Sequence, residues 1–268
     1  GFVLPQYYTT IQLADVDGDG RAELLARFPD GMHGWKLVGT GWAQIATNTR
    51  VSDTEGWMAP GSFLTLQCAD IDGDGHAELI GLGAGGVQAW RYTALAAWTP
   101  LATLSAVSQA GGWLNPQYAL TIQCADIDGD GRAELIARGS GGIRAWRFSG
   151  SNAGQWSELA RGPAWSDGTG WAHAQNSLTI QTARVNPSAV NTNNPSAGGT
   201  GPAAVVLGRS STAVEVWRFG GAAWTRTSAP WPSLDPVAYA AVSAFLGVTN
   251  KAGVRALYND LAADLDGW

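Results

Sequence analysis

Lysine is almost missing from this chain of 268 residues: Lys36 and Lys251 stand against 14 arginines, and charged residues make up only 14%. The arginines are scattered without a basic cluster, so a nucleic-acid partner is not expected. So little charge, with 36 Gly and 14 Trp, suits short strands and tight turns better than long helices. Long apolar runs are also missing. The longest, Val237 to Val248, is too short to span a bilayer. No signal peptide is visible, and a chain that opens on Gly1 reads as processed or trimmed. Cysteine is limited to Cys68 and Cys124, which share one position in successive repeats where other copies have Leu13 and Thr182. That pattern suits a small buried position with free thiols, since equivalent sites on adjacent units are usually too far apart for a disulfide. Cysteine therefore does not fix the compartment.

Catalytic constellations are absent as well. His33, His76 and His173 fall at unrelated positions, each better read as a solvated surface side chain than as a base. There is no G-x-S-x-G, no phosphate-binding loop and no Cys-His pairing. An enzyme is not the expected reading.

What the chain does have is one line written three times: QLADVDGDGRAELLARF from Gln12, QCADIDGDGHAELIGLG from Gln67 and QCADIDGDGRAELIARG from Gln123. Self-alignment gives four units, opening at Gly1-Phe2, Gly56-Trp57, Gly112-Trp113 and Gly170-Trp171. In each, the Gln of a T-x-Q step comes eleven residues after that Gly: Gln12, Gln67, Gln123 and Gln181. Trp35, Trp90 and Trp146 each follow twenty residues after the first motif Asp, and Trp217 keeps the step after an insertion. A second Trp comes shortly afterwards: Trp42, Trp98, Trp156 and Trp224.

Within unit three the pattern reads as four short strands, LTIQCAD, AELIARG, IRAWRFS and QWSELA, joined by the acidic loop and by Gly-rich hairpin turns. Four antiparallel strands in a unit of about 56 residues signal a blade of a β-propeller. The expected fold is therefore all-β: a propeller over 1–234, with blades at about 1–55, 56–111, 112–169 and 170–234, and a short helical segment over 235–268. Unit four is degenerate. Arg184 stands at the first Asp position, Ala204 replaces the Glu, and the insert around Asn191 to Gly201 reads as a surface loop. Asp235-Pro236 makes a good N-cap with Pro at N1. Val254, Leu257, Tyr258, Leu261 and Leu265 then keep helical spacing. That stretch reads as a helical hairpin or the start of a further domain, and ADLDG at 263–267 leaves open a fifth unit.

The acidic loop concentrates charge. Its ligand candidates are Asp15, Asp17, Asp19 and Glu23; Asp70, Asp72, Asp74 and Glu78; and Asp126, Asp128, Asp130 and Glu134. These twelve are over half of the 22 carboxylates and turn a balance of +6 into the net −6. Oxygens at positions one, three, five and nine suit a hard cation, with the backbone carbonyl of position seven (Arg21, His76, Arg132) completing the set. Zinc would want His or Cys. An EF-hand would need Glu at position twelve, where Ala26, Gly81 and Ala137 stand. The expected ions are about three Ca²⁺, largely structural, and three bound divalent ions would bring the formal charge near zero.

ADIDGDGRAEL between strands resembles the FG-GAP/VCBS repeat of integrin-α-type propellers, strongly in three units and weakly in the fourth. The resemblance implies calcium clasped between the first two strands of a blade by the twelve carboxylates named above. Millimolar calcium is found outside cells, so a secreted or surface location is expected. Such propellers usually have seven blades. Either four close a small ring here or others lie outside this chain. Some members are lectins that bind sugars between neighbouring blades, so glycan binding is the first functional expectation. The others are a protein-interaction scaffold and an accessory module of a larger secreted enzyme or toxin. Trp57, Trp113 and Trp171 open their units and are the candidate stacking platforms, with Gln117, Tyr118, Asp53 and Asp167 as polar neighbours.

Overall fold

The computed structural model describes residues 3–94, 97–150, 156–184, 204–210 and 214–226. The inserted segment of unit four and the stretch 235–268 read as helical lie outside the described residues. Among the described residues, sixteen strands form four antiparallel four-stranded sheets, each in sequence order. Blade one holds β1 (Gln12–Ala14), β2 (Glu23–Phe28), β3 (Gly31–Val38) and β4 (Gly41–Asn48). Blade two holds β5 (Gln67–Ala69), β6 (Glu78–Gly83), β7 (Gly86–Thr93) and β8 (Ala97–Leu104). Blade three holds β9 (Gln123–Ala125), β10 (Glu134–Gly139), β11 (Gly142–Phe148) and β12 (Trp156–Arg161). Blade four holds β13 (Gln181–Arg184), β14 (Ala204–Arg209), β15 (Val214–Phe219) and β16 (Trp224–Arg226). This is the β-propeller blade architecture, and successive blades meet through their first strands β1, β5, β9 and β13.

The first strand is shorter than the sequence suggests. A single helical turn precedes it in every blade: α1 (Pro5–Tyr8), α2 (Pro60–Phe63), α3 (Pro116–Ala119) and α4 (Ala174–Ser177). Pro occupies the first helical position in three of the four, where its missing N–H costs nothing. The Thr of the T-x-Q step ends the turn. Thr10, Thr65, Thr121 and Thr179 each donate a hydroxyl hydrogen bond to a carbonyl of the turn, at 2.6–2.7 Å. The same oxygens accept the N–H of Arg27, Leu82, Arg138 and Arg209 in the second strand, at 2.7–3.0 Å. One hydroxyl thus ties the entering turn to the sheet.

The β2–β3, β6–β7 and β10–β11 hairpins turn on Gly31, Gly86 and Gly142, at φ of 142°, 140° and 117°. A Cβ at Gly31 or Gly86 would lie 2.3 Å from the backbone oxygen of Asn48 or Leu104, where the end of the fourth strand passes. Only glycine permits that approach. A register shift falls immediately before Trp35, Trp90 and Trp146 in the pairing of third and fourth strands, the place a bulge re-aims a side chain.

The core lies between blades. Leu25, Met32 and Val51 of blade one meet Leu79, Trp90 and Trp98 of blade two. Ile80, Leu82 and Val87 meet Ile122, Trp146 and Phe148. Ile136, Ile143 and Ala145 meet Ile180, Val206 and Phe219. Cys68 and Cys124 sit on adjacent first strands as free thiols, and burial pushes both well above the ordinary thiol range.

Polar groups cross the same joints. Gln67 Nε2 donates to the Ile122 carbonyl at 3.3 Å and its Oε1 accepts the Cys124 N–H at 2.8 Å. Gln123 does the same to Ile180 and Thr182, at 2.7 and 2.8 Å. Gln67 and Gln123 are therefore forward hooks onto the next blade, while Gln12 Nε2 is buried without a hydrogen-bond partner.

Candidate metal centre

Each acidic loop bridges the first and second strands, and its own backbone curls it. In loop one, Asp15 accepts the N–H groups of Gly18 and Gly20 at 2.7 and 2.8 Å, Asp17 that of Asp19, and Asp19 that of Arg21. Loops two and three repeat every one of these bonds. Glu23, Glu78 and Glu134 are fully buried. One oxygen of each accepts the N–H of Val16, Ile71 or Ile127, at 3.0–3.1 Å. Short-range bonds thus hold the chain in a loop with the remaining carboxylate oxygens gathered together.

That gathering is tight. Oxygens of Asp15, Asp17 and Asp19 lie within 4.8 Å of one another, as do those of Asp70, Asp72 and Glu78, and of Asp126, Asp128 and Glu134. Burial, with neighbouring carboxylates adding to it, pushes Glu78 up to about 8; burial pushes Glu134 up to about 7 and raises Glu23. Such a group needs positive charge to ionise.

A basic side chain from the third strand reaches each loop, a feature the sequence reading missed. Lys36 Nζ lies 2.5 and 2.6 Å from Asp17 and Asp19. Arg91 pairs with Asp72, Asp74 and Glu78, and Arg147 with Asp128, Asp130 and Glu134. The available signal was a basic residue directly after the strand-three Trp in all four units. Blade one shows what that side chain leaves over. Lys36 stops at the two aspartates, and the buried Glu23 Oε1 has no hydrogen-bond partner. An orphaned buried carboxylate oxygen beside clustered aspartates fits a hard, oxygen-seeking cation. The donor set suits Ca²⁺ and lacks the nitrogen and sulfur that zinc prefers.

The loops also join the blades. The backbone oxygen of Asp15 accepts the Ala77 N–H, that of Asp70 the Ala133 N–H, and that of Asp126 the Ala204 N–H, each at 2.7 Å. Side chains at loop position seven lie over the preceding loop. A Cβ at Gly18 would meet the His76 ring at 2.0 Å, and one at Gly73 would meet Arg132 at 2.9 Å. His76 is therefore half-buried in a joint rather than solvated.

The Trp residues proposed as stacking platforms occupy different ground. Trp57, Trp113 and Trp171 are 2%, 7% and 2% exposed. Their rings pair edge-on or tilted with Trp90, Trp146 and Trp165, at 5.7, 6.4 and 5.0 Å. The apolar surface of an indole gains more from the joint than from water, so these faces are withdrawn as platforms. Gln117 and Tyr118 serve a buried ion pair instead. Arg138, enclosed in blade three, donates to the Gln117 and Trp165 carbonyls at 3.3 and 2.6 Å and pairs with Asp167, which also accepts the Tyr118 hydroxyl at 2.6 Å. Arg27, Gln6, Val51, Asp53 and Tyr7 repeat the arrangement in blade one.

Two clefts open at blade joints. One of about 250 Å³ between blades one and two is lined by Arg50, Glu55, Trp57, Gln88 and Trp90. The other, about 420 Å³, lies beside loop two, between Asp72, Asp74, Arg91, Arg132 and Ser149.

Comparison with known proteins accords with this geometry. Residues 70–137, from loop two through loop three, match the FG-GAP-like repeat. No curated protein matches the chain. Among solved structures it is similar to an Agrocybe aegerita lectin described as specifically recognising non-reducing terminal N-acetylglucosamine, with TM-score 0.58 and 19% identity. The match covers 80% of this chain and 51% of the lectin, so the chain spans about half that protein's length. At that identity the likeness is one of fold. No helix among the described residues is long and apolar enough to cross a membrane.

Proposed function

We propose that the protein is a calcium-stabilised propeller that recognises carbohydrate without catalysis and works outside the cell. The observation that carries the metal part is the threefold repetition of one loop, with a buried Glu and clustered Asp oxygens on the same backbone scaffold. Asp15, Asp17, Asp19 and Glu23 would hold one ion, and the equivalent residues of loops two and three one each, with the position-seven carbonyls of Arg21, His76 and Arg132 completing the sets. When bound, calcium supplies charge neutralisation and cross-links the first two strands of a blade. Millimolar calcium is met outside cells, which supports the secreted reading.

The lectin-like fold supports the carbohydrate part. The cleft between blades one and two adds a physical reason. Arg50, Glu55 and Gln88 offer donors and acceptors for sugar hydroxyls in a cleft that the largely buried Trp57 and Trp90 also line. Probing a glycan array with calcium-loaded protein tests the reading. Binding to one sugar class that Gln88→Ala and Glu55→Ala abolish is the expected outcome. A blank array from folded, calcium-loaded protein would contradict it and favour the second reading, a protein-docking propeller.

A further inference from the structure

The joints between successive blades share their parts. In all three the leading blade supplies the carbonyl at the first loop position, and in the joints after blades two and three its Gln amide as well, whereas Gln12 Nε2 has no hydrogen-bond partner. The following blade supplies backbone N–H groups: that of Ala77, Ala133 or Ala204 at the entry to the second strand, the β13–β14 register putting Val205 rather than Ala204 at the Glu position, and, in the later two joints, that of Cys124 or Thr182 after the Gln. It also supplies an apolar front made by the residue before the Gln and an aromatic pair from the third and fourth strands. These are Leu66, Tyr92 and Trp98 in blade two, and Ile122, Phe148 and Trp156 in blade three.

Blade one carries the equivalent receiving groups, with Leu37 in place of the third-strand aromatic, and among the described residues nothing is seated on them. Ile11, Leu13, Leu37 and Trp42 are 49%, 66%, 46% and 52% exposed. Leu66, Ile122 and Ile180, at the position of Ile11, are buried, as are Tyr92, Phe148 and Phe219 at that of Leu37. The N–H groups equivalent to those used in the other blades belong to Ala22 and Leu13. Blade four carries the supplying set on its outer side. Gln181 is exposed on β13, Arg184 brings its carbonyl to the first loop position, and Leu207 is half-exposed where Leu25, Ile80 and Ile136 are fully buried.

We infer that the blade-four edge of one copy docks on the blade-one face of a second copy, as one further blade joint. The Gln181 amide meets the Leu13 backbone, the Arg184 carbonyl meets the Ala22 N–H, and Leu207 covers Ile11 and Leu37. The occupant follows from continuity with three joints that share the loop-carbonyl bond, two of which also carry the Gln hook, and from both halves of a further joint being present in the same chain. Such an interface is head-to-tail, with different patches on the two partners.

The test is the solution mass of the full 268-residue chain by light scattering across a concentration series. The wild type is expected to reach at least twice the monomer mass. Leu13→Arg and Gln181→Arg, both at exposed positions, are each expected to return it toward monomer with circular dichroism unchanged. Mixing the two variants is expected to restore a dimer, because each retains the edge the other lacks. A wild type that stays monomeric at every concentration overturns the inference. So does an oligomer indifferent to both variants, or one that Leu13→Arg breaks and Gln181→Arg does not.

Discussion

The side-chain oxygen of Gln123 accepts the backbone N–H of Thr182 at 2.8 Å across the joint between blades three and four. With its nitrogen on the Ile180 carbonyl at 2.7 Å, one amide satisfies a donor and an acceptor on the neighbouring first strand. Replacing Gln123 with Ala removes both bonds and leaves two half-buried groups unpaired, an expected loss of about 2 kcal/mol. Gln123→Glu keeps the acceptor but sets a carboxylate against the Ile180 carbonyl, and is expected to lose at least as much. Urea denaturation of the two variants checks this, and equal stability to wild type would remove the hook from the account.

The buried arginines give a second test. Asp167→Ala leaves Arg138 enclosed without its counter-charge and is expected to cost about 3 kcal/mol. Blade two solves the same place differently: Leu82 stands where Arg27 and Arg138 stand, and Gln109 donates to Ser62 at 3.1 Å where blades one and three pair Asp with Tyr. Transplanting that solution, as Arg138→Leu with Tyr118→Ser and Asp167→Gln, is expected to cost less than Asp167→Ala alone. Thermal melts of the two variants decide the order.

The loop glutamates give a pH test. Burial raises Glu78 to about 8 and Glu134 to about 7, from an ordinary 4.5. A carboxyl with a higher pKa in the folded than in the unfolded state favours folding when protonated. Its contribution to the metal-free protein is therefore complete below pH 4.5 and is lost as the pH rises through 7 and 8. A bound cation reverses this, because it needs the carboxylates ionised. Calcium binding near neutral pH is expected to release protons, with affinity rising across the same window. Calorimetry in buffers of different ionisation enthalpy reads that release, and a heat independent of buffer would contradict it.

Much of this was legible in the sequence. The Asp spacing, the period of about 56 residues and the recurring Trp placed the loops, the blades and three of the four strands in each. The single helical turns were not, although Pro5, Pro60 and Pro116 marked their starts. A turn of four residues leaves no periodicity to read, and the Thr hydroxyl that ends it acts through the fold. The Gln hooks escaped for a similar reason, since Gln67 and Cys124 are 57 residues apart. Trp57, Trp113 and Trp171 sit beside loops in sequence but inside the core in space, where residues distant in sequence, from their own second and third strands and from the neighbouring blade, enclose them.

Metal removal is expected to act on the whole molecule, because each loop also anchors the next blade through an Asp carbonyl at 2.7 Å. A site filled at a hundred times its dissociation constant adds about 2.7 kcal/mol. Chelation is therefore expected to lower the melting temperature by well over ten degrees, and Glu134→Gln to give a smaller part of that loss without chelator.

The most direct measurement is the number of calcium ions bound per chain, by equilibrium dialysis of wild type and of Asp126→Asn with Glu134→Gln. The expected result is three ions in the wild type and two in the variant. Protein that binds no calcium at millimolar concentration, or melts identically with and without chelator, would contradict the account.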